Sequence, residues 1–433
     1  MPIALDHHLP PPAIVMEISD RKLRPAQGQR LPPGFLSTSG SQIVSDTGRK
    51  VRIASIGWNG TDGRPGASLS GLWRVSYKTV LDSIVDAGFN TVRIPWTDAG
   101  LDAPLNGYND KLGWIHTTLN QDLVADPTPD AQGRYRYVTT MQLFEKVVTH
   151  AGRIGLKVIF DHHNNEGSAE QQPNGLWFNL GPGTEGLVKG EVTAETFKQN
   201  WVRMARTFAG NTTVIGFDLH NEPNGDAGKI TWGGGGPTDI KAMCESVGAA
   251  IQDVNPDVLI ICPGPFFYRL PPKDSGMDPR WAAPAGNLTA AGANPVKLPV
   301  PHKLVYTVHE YPDEIADITR FGHAENGPDY VDRMNRTWGY LVRDNIAPVW
   351  IGEMGTSLRT QGQRAWAETL LDYMNGAYGK QGGPTFRGDN QPISGSWWLI
   401  GPSDDTPFGL QSDWGIGHIR PEQKALTDRM LMR

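Results

Sequence analysis

The sequence predicts an α/β fold, a (β/α)8 TIM barrel opened by an N-terminal β-hairpin. Three observations carry that expectation. Apolar strand candidates recur eight times along the chain. Most intervals between them hold a segment with helical periodicity. The strands read as continuous apolar runs, the pattern of a parallel sheet buried on both faces. A length of 433 residues suffices for one such barrel.

Residues 1–34 are rich in Pro and short of apolar period, which predicts a poorly ordered arm. Residues 35–433 then form the barrel domain. The stretch FLSTSGSQIVSDTGRKVRIAS, from Phe35, alternates and breaks at SDTGRK, which predicts the hairpin. The eight strand candidates are VRIASIG from Val51, NTVRIPW from Asn90, KVIFDHH from Lys157, VIGFDLH from Val214, VLIICPG from Val258, KLVYTVHEY from Lys303, PVWIGEM from Pro348 and GSWWLIG from Gly395.

Between them, SYKTVLDSIVDAG places Val80, Ile84, Val85 and Ala87 on one helical face and closes at Gly88. TMQLFEKVVTHAGRIG and AETFKQNWVRMARTFAG also end at Gly, and TDIKAMCESVGAAIQDVNP opens with a Thr-led cap region and stops before Pro256. Residues 416–433 read as a terminal helix. Pro263 to Pro301 form a long Pro- and Gly-rich loop, placed to wall one end of a cleft. The competing fold, a doubly wound open sheet, would want a Gly-rich phosphate loop after its first strand. SIGWNGTDGRPG lacks the G-x-G-x-x-G spacing.

Bulk properties remove some partners. The net charge is −6 with no Lys/Arg-rich block, so nucleic acid is not expected. No run of about 18 apolar residues exists, so no membrane span is expected. The opening MPIALDHHLPPPAIVMEIS does not read as a signal peptide, having no basic start and only a short apolar run, Ala13 to Met16. Cys244 and Cys262 read as two semi-buried thiols, with one disulfide as the alternative the sequence does not decide.

In a barrel, chemistry sits where strands end. The strand-end residues are Arg93, Asp161, His162, His163, Asn221, Glu222, His309, Tyr311, Glu353, Trp397 and Trp398. Two glutamates, Glu222 and Glu353, suggest the carboxylate pair that glycosidic bond cleavage needs. A strand-end Glu can equally make a structural ion pair, but the polar neighbours favour chemistry. Arg93 and Tyr311 would keep a nucleophilic carboxylate ionised and aimed. Asn221 would meet a sugar 2-hydroxyl. By strand parity His309 and Tyr311 share a face, as do Asp161 and His163, while His162 points away. Asn221 and Glu222 are adjacent, so parity must break at Pro223 for both to reach one cleft. Trp96, Trp177, Trp232, Trp397 and Trp398 fall at strand ends or in the loops after them, where indoles can pack against sugar faces. Trp397 and Trp398 cannot both face the interior of a regular strand.

With these residues in place, the chain resembles glycoside hydrolase family 5, the retaining cellulase-type barrel, and within it the bacterial endo-β-1,4-glucanases. The resemblance spans about residues 35–415. It rests on GLWRVSYKTVLDSIVDAGFNTVRIPW, IGLKVIFDHH, NTTVIGFDLHNEP, HKLVYTVHEYP, NIAPVWIGEMGTS and SWWLIGPSDDTPFG, in that order. It implies that Glu222 is the acid/base and Glu353 the nucleophile, supported by Arg93 and Tyr311. His163 and His309 would line the sugar site, with Asn221 at the 2-hydroxyl. Trp397 would be the stacking indole of strand eight. Trp177 and Trp232 are expected as further sugar contacts from their place in the loops after strands, not from the resemblance. It implies no metal and no cofactor, a β-glucan polysaccharide or oligosaccharide as partner, a monomer, and secretion or a periplasmic location. Two departures stand near the cleft: strand one ends in SIG and strand five in CPG.

Three function classes remain distinct. The first is a retaining endo-glycosidase on β-1,4-glucan or, by loop variation, on mannan, xyloglucan or mixed-linkage glucan. The second is a metal-dependent hydrolase using DHH, His220, His309 and Glu353. It is disfavoured because His162 and His163 point oppositely and no H-x-H or H-E-x-x-H spacing occurs. The third is a non-catalytic glycan-binding barrel, which would be expected to lack one of the glutamates.

Overall fold

The computed structural model describes residues 30–106, 115–131, 133–167, 174–179, 192–224, 230–266, 286–315, 327–403 and 409–431. Eight parallel strands close into a barrel: β4 (Ala54–Gly57), β5 (Thr91–Thr97), β8 (Lys157–Asn164), β9 (Val214–Asp218), β10 (Leu259–Pro263), β11 (Leu304–Glu310), β12 (Val349–Met354) and β13 (Ser394–Trp397). Each lies within or against one of the eight predicted runs. The barrel strands are almost wholly buried, because helices cover the outside and side chains fill the inside. A small antiparallel pair, β6 (Val124–Asp126) and β7 (Arg136–Tyr137), sits between β5 and β8.

Five of the outer helices start where the sequence offers a side-chain acceptor. Ser76 caps α1 (Tyr77–Asp86), and Thr139 with Gln142 forms a capping box on α2 (Thr140–Ile154). Thr193 caps α3 (Ala194–Thr207). Asp239, one residue after the expected Thr, caps α4 (Ile240–Gln252). α5 (Pro328–Met334) continues through a π-helical turn, Asn335–Gly339, into a last α turn, Tyr340–Arg343. Thr360 and Gln363 box the start of α6 (Gln361–Met374), and α7 (Pro421–Thr427) is the terminal helix.

The expected hairpin is a three-stranded sheet: β1 (Leu36–Ser39), β2 (Gln42–Ser45) and β3 (Lys50–Val51). Its inward side chains Leu36, Ile43 and Val51 join Ile53, Ile159, Ile215, Leu259, Ile261, Val305 and Trp350 in one buried cluster. The sheet is therefore the barrel's floor. Leu31, in the stretch before Phe35, belongs to the same cluster. Most of the expected arm, and residues 267–285 of the expected cleft-wall loop, lie outside the described residues.

Cys244 of α4 and Cys262 of β10 are joined in a disulfide. The reading as two thiols is thereby corrected. The helix packs directly over the strand, which brings two cysteines 18 residues apart to a Cα separation of 5.9 Å.

Candidate active site

Alternation along the strands puts polar residues at the barrel's open end. On β8, Ile159 faces the floor cluster, and Asp161 and His163 come next on the same face. On β12, Trp350 faces the floor, yet Glu353 is three residues on and would point outward in a regular strand. The register to β11 shifts between Val308 and His309, which pair with Ile351 and Glu353. Gly352 is the extra residue of a bulge that turns Glu353 inward. A Cβ on Gly352 would come within 2.6 Å of Thr307 Oγ1 and 2.9 Å of His309 Nε2, so only glycine fits. A similar shift between β8 and β9 lets Ile215 face the floor and Asp218 the open end.

Arg93 is the hub. Its side chain is fully buried, and its Nη1 donates to Glu353 Oε1 at 2.5 Å. Its Nε donates to Asp218 Oδ2 at 3.0 Å, and Nη2 to Asn221 Oδ1 at 3.2 Å. Nη2 is also ion-paired with Asp161 Oδ1 at 2.9 Å. One guanidinium thus faces three carboxylates, and they divide the charge unequally. Burial pushes Asp218 up to about 7, with the Asp161 charge adding to the shift against Arg93. Burial would raise Asp161 too, but Arg93 and His163 override it and hold Asp161 below its ordinary value. His163 donates from Nδ1 to Asp161 Oδ2 at 2.6 Å. Burial opposes its charge, yet Asp161 raises it to about 9.

Glu353 accepts on both oxygens, from Arg93 and from Tyr311 Oη at 2.8 Å. Burial and then the Glu353 charge push Tyr311 well above its ordinary value, so it remains a phenol that donates. Glu222 Oε1 lies 2.8 Å from His309 Nδ1. Oxygens of Glu222 and Glu353 and a ring nitrogen of His309 all lie within 4.8 Å of one another. Asn221 Nδ2 lies 3.4 Å from His163 Nε2. β9 ends at Asp218, so strand parity does not reach Asn221 and Glu222. The break falls at Glu222 itself, whose φ is +43°, a left-handed conformation that non-glycine residues adopt at a cost of roughly 1–3 kcal/mol.

The structure therefore brings together Arg93, His163, Asn221, Glu222, His309, Tyr311 and Glu353. It does not bring the expected indoles there. Trp397 lies on the outer face of β13, fully buried between barrel and helices. Trp398 takes the interior place. Its ring stacks on His163, with centroids 5.9 Å apart and an interplanar angle of 12°, and Arg93 lies 5.8 Å from its centroid. A Cβ on Gly57 would fall 2.1 Å from this ring, which accounts for the SIG ending of strand one. Trp232 packs on Tyr306 behind β11 and donates to Asn294 O. Trp177 packs on Phe178 and His220. Both are buried packing residues.

Sequence reasoning misses two residues at this end. Asp218 is the lone acid inside the run VIGFD, and the bulge hides which way it faces. Phe266 packs edge-on against His309 at 5.2 Å, and its N–H donates to Pro223 O at 2.7 Å. It lies in a loop without periodicity. The donor sets Asp161–His163–Glu353 and Glu222–His309–Glu353 are close enough to approach one cation. Both depend on Glu353, whose Oε1 already holds the Arg93 guanidinium.

Known proteins match this chain along nearly its whole length. Residues 46–403 match the family description "Cellulase (glycosyl hydrolase family 5)". An endoglucanase of Paenibacillus polymyxa is 29% identical over 91% of this chain and 86% of its own length. Endoglucanase G of Acetivibrio thermocellus is 26% identical over 88% of this chain and 68% of its own. Among solved structures, a cellotetraose complex of the endocellulase from Pyrococcus horikoshii superposes with a TM-score of 0.71 at 26% identity, covering 93% of this chain and all of that one. The chain belongs to glycosyl hydrolase family 5, the cellulase family, and is a glycoside hydrolase.

Proposed function

We propose that the chain hydrolyses internal β-1,4-glucosidic bonds of cellulose-type glucans with retention, Glu353 acting as nucleophile and Glu222 as acid/base. The observation that carries this is the closeness of two carboxylates in unlike surroundings. Their oxygens lie within 4.8 Å of each other. Retaining enzymes hold the pair about 5 Å apart, whereas inverting ones leave roughly 6.5–9.5 Å for a water. Glu353 sits between a guanidinium and a phenol O–H, both donors, and so offers lone pairs for attack. Glu222 has the His309 ring as its neighbour, while the Arg93 guanidinium is committed to Glu353, Asp218 and Asn221.

In the first step Glu353 attacks the anomeric carbon and forms a glycosyl ester. Glu222 gives its proton to the departing oxygen. In the second, Glu222 takes a proton from water, which attacks the same carbon and releases Glu353. Asn221 meets the 2-hydroxyl, His163 and His309 line the sugar site, and Trp398 serves as the ring platform. The protein acts as a monomer. A relative from Xanthomonas campestris is named a major extracellular endoglucanase, and the disulfide suits an oxidising compartment, so we place this protein outside the cytoplasm.

A reducing-end assay on carboxymethyl cellulose, barley glucan, glucomannan, xyloglucan and laminarin, with NMR of the first product, tests the reading. Carboxymethyl cellulose and barley glucan should be cut to progressively shorter chains that carry new β-configured ends. Release of α-configured sugar, or preference for mannan or laminarin, would overturn it.

A further inference from the structure

Behind the barrel wall, on the side away from the cleft, a chain of side chains joins three successive strand ends. Asp98 comes after β5, His162 lies on the outer face of β8, and His220 comes after β9. His162 Nε2 lies 2.7 Å from Asp98 Oδ2, and His162 Nδ1 lies 2.8 Å from His220 Nδ1. Asn200 of α3 donates to the other Asp98 oxygen at 2.7 Å. The His162 ring is boxed by Trp96, Phe197 and Trp201 at centroid distances of 4.7, 4.6 and 6.5 Å. Phe197 and Trp177 flank His220. The His162 side chain thus points away from Asp161 and His163, its neighbours along β8.

The order of protons is set by the partners. A carboxylate accepts, so His162 donates a hydrogen bond from Nε2–H to Asp98 Oδ2. Its Nδ1 lone pair then accepts from His220 Nδ1–H. Burial pushes His220 well below its ordinary value, with His162 and His163 adding to the shift, so His220 stays neutral. The two residues after His220 give the chain a purpose. His162 O accepts the Asn221 N–H at 2.7 Å, and one residue later Glu222 takes its left-handed φ. A segment held in that conformation needs its neighbours fixed.

We propose that the Asp98–His162–His220 chain is a positioning device for Glu222, holding the turn that aims the acid at the departing oxygen. The inference rests on the reading of Glu222 as acid/base. Its signature is selective for the leaving group, because an acid matters only where the departing oxygen needs a proton. A loss of general stability would lower all substrates alike.

The test compares catalytic efficiency on 2,4-dinitrophenyl β-cellobioside, which leaves without a proton, with that on carboxymethyl cellulose. The variants are His220→Leu, His220→Asn, Asp98→Ala and Glu222→Ala. His220→Leu should lose on the order of 10–100-fold on the polysaccharide, part of the 10²–10⁴-fold that general acids contribute, and no more than about threefold on the activated cellobioside. His220→Asn, whose side-chain N–H replaces Nδ1–H, should recover most of the loss. Asp98→Ala should repeat the selective pattern more weakly, and it carries the test alone if His220→Leu does not fold. Equal losses on both substrates, or no loss on the polysaccharide, would overturn the inference while Glu222→Ala keeps its own selectivity. If Glu222→Ala itself lost both activities equally, the acid/base reading would fail first and take this inference with it.

Discussion

The floor and the mouth of the barrel are built from the same strands. On β8, Ile159 lies in the floor, with Asp161 and His163 above it. On β11, Val305 lies below Thr307 and His309, and on β12 Trp350 lies below Glu353. The floor is aliphatic apart from Trp350, and closing it with β1–β3 buries hydrocarbon against hydrocarbon. The mouth buries charge. Asp218 Oδ1 and Thr307 Oγ1 lack hydrogen-bond partners among the described residues, and Glu222 is left-handed. One end stabilises the fold, and the other costs stability to keep charges placed. The same alternation of side chains supplies both.

That contrast predicts which changes do what. The largest effect belongs to Arg93→Met, which leaves Asp161, Asp218 and Glu353 without their shared cation. Removing one partner of a buried pair costs about 3–5 kcal/mol, and activity should vanish with it. Urea unfolding near pH 7 measures this, and wild-type stability in the variant would break the contrast.

Next come the two indoles. Trp397→Ala should lose about 3–5 kcal/mol of stability, as a buried packing residue does. Trp398→Ala should instead lose about tenfold in activity, equivalent to roughly 1.4 kcal/mol in the transition state, with a smaller stability loss. Paired thermal melts and assays would show the reverse if Trp397 were the sugar platform. In the floor, Ile215→Ala should cost about 2–5 kcal/mol, while kcat/KM per folded molecule stays at the wild-type value.

The smallest effect is a pH window. His163 is raised from 6.5 to about 9 in the fold. Its contribution to stability is therefore fully present below about 6.5 and is lost as pH rises through about 9. The melting difference between wild type and His163→Gln should shrink from pH 6 to pH 9.5, whereas the Ile215→Ala difference should not change. A His163→Gln difference that stays constant would remove the ion pair with Asp161 from the picture.

Much of this layout is legible in the sequence because barrel strands are apolar runs and their ends are abrupt. Arg93, His163, Glu222, His309, Tyr311 and Glu353 all stand where such a run meets polar residues. The rest depends on register. Strand parity sends Glu353 and Asp218 to the wrong face unless the bulges at β12 and β9 are known, and nothing in composition marks a bulge. Parity makes Trp397 and Trp398 mutually exclusive, but their order depends on the phase of β13, with Ser394 paired to the floor residue Trp350. Trp177 and Trp232 lie in loops without periodicity, where only tertiary packing decides between core and cleft. The disulfide needs the packing of α4 on β10, which 18 residues of separation do not reveal.

The division of labour between Glu222 and Glu353 is tested most directly by azide. Glu222→Ala should still attack an aryl β-cellobioside with a good leaving group. Its intermediate should accumulate, and azide, which needs no base, should release the β-glycosyl azide. Glu353→Ala has no nucleophile, so azide entering the vacated space should attack once and give the α-glycosyl azide. NMR of the anomeric carbon reads both products. The β product from Glu222→Ala and the α product from Glu353→Ala are the predicted result, and the opposite pair would contradict it by exchanging the two roles.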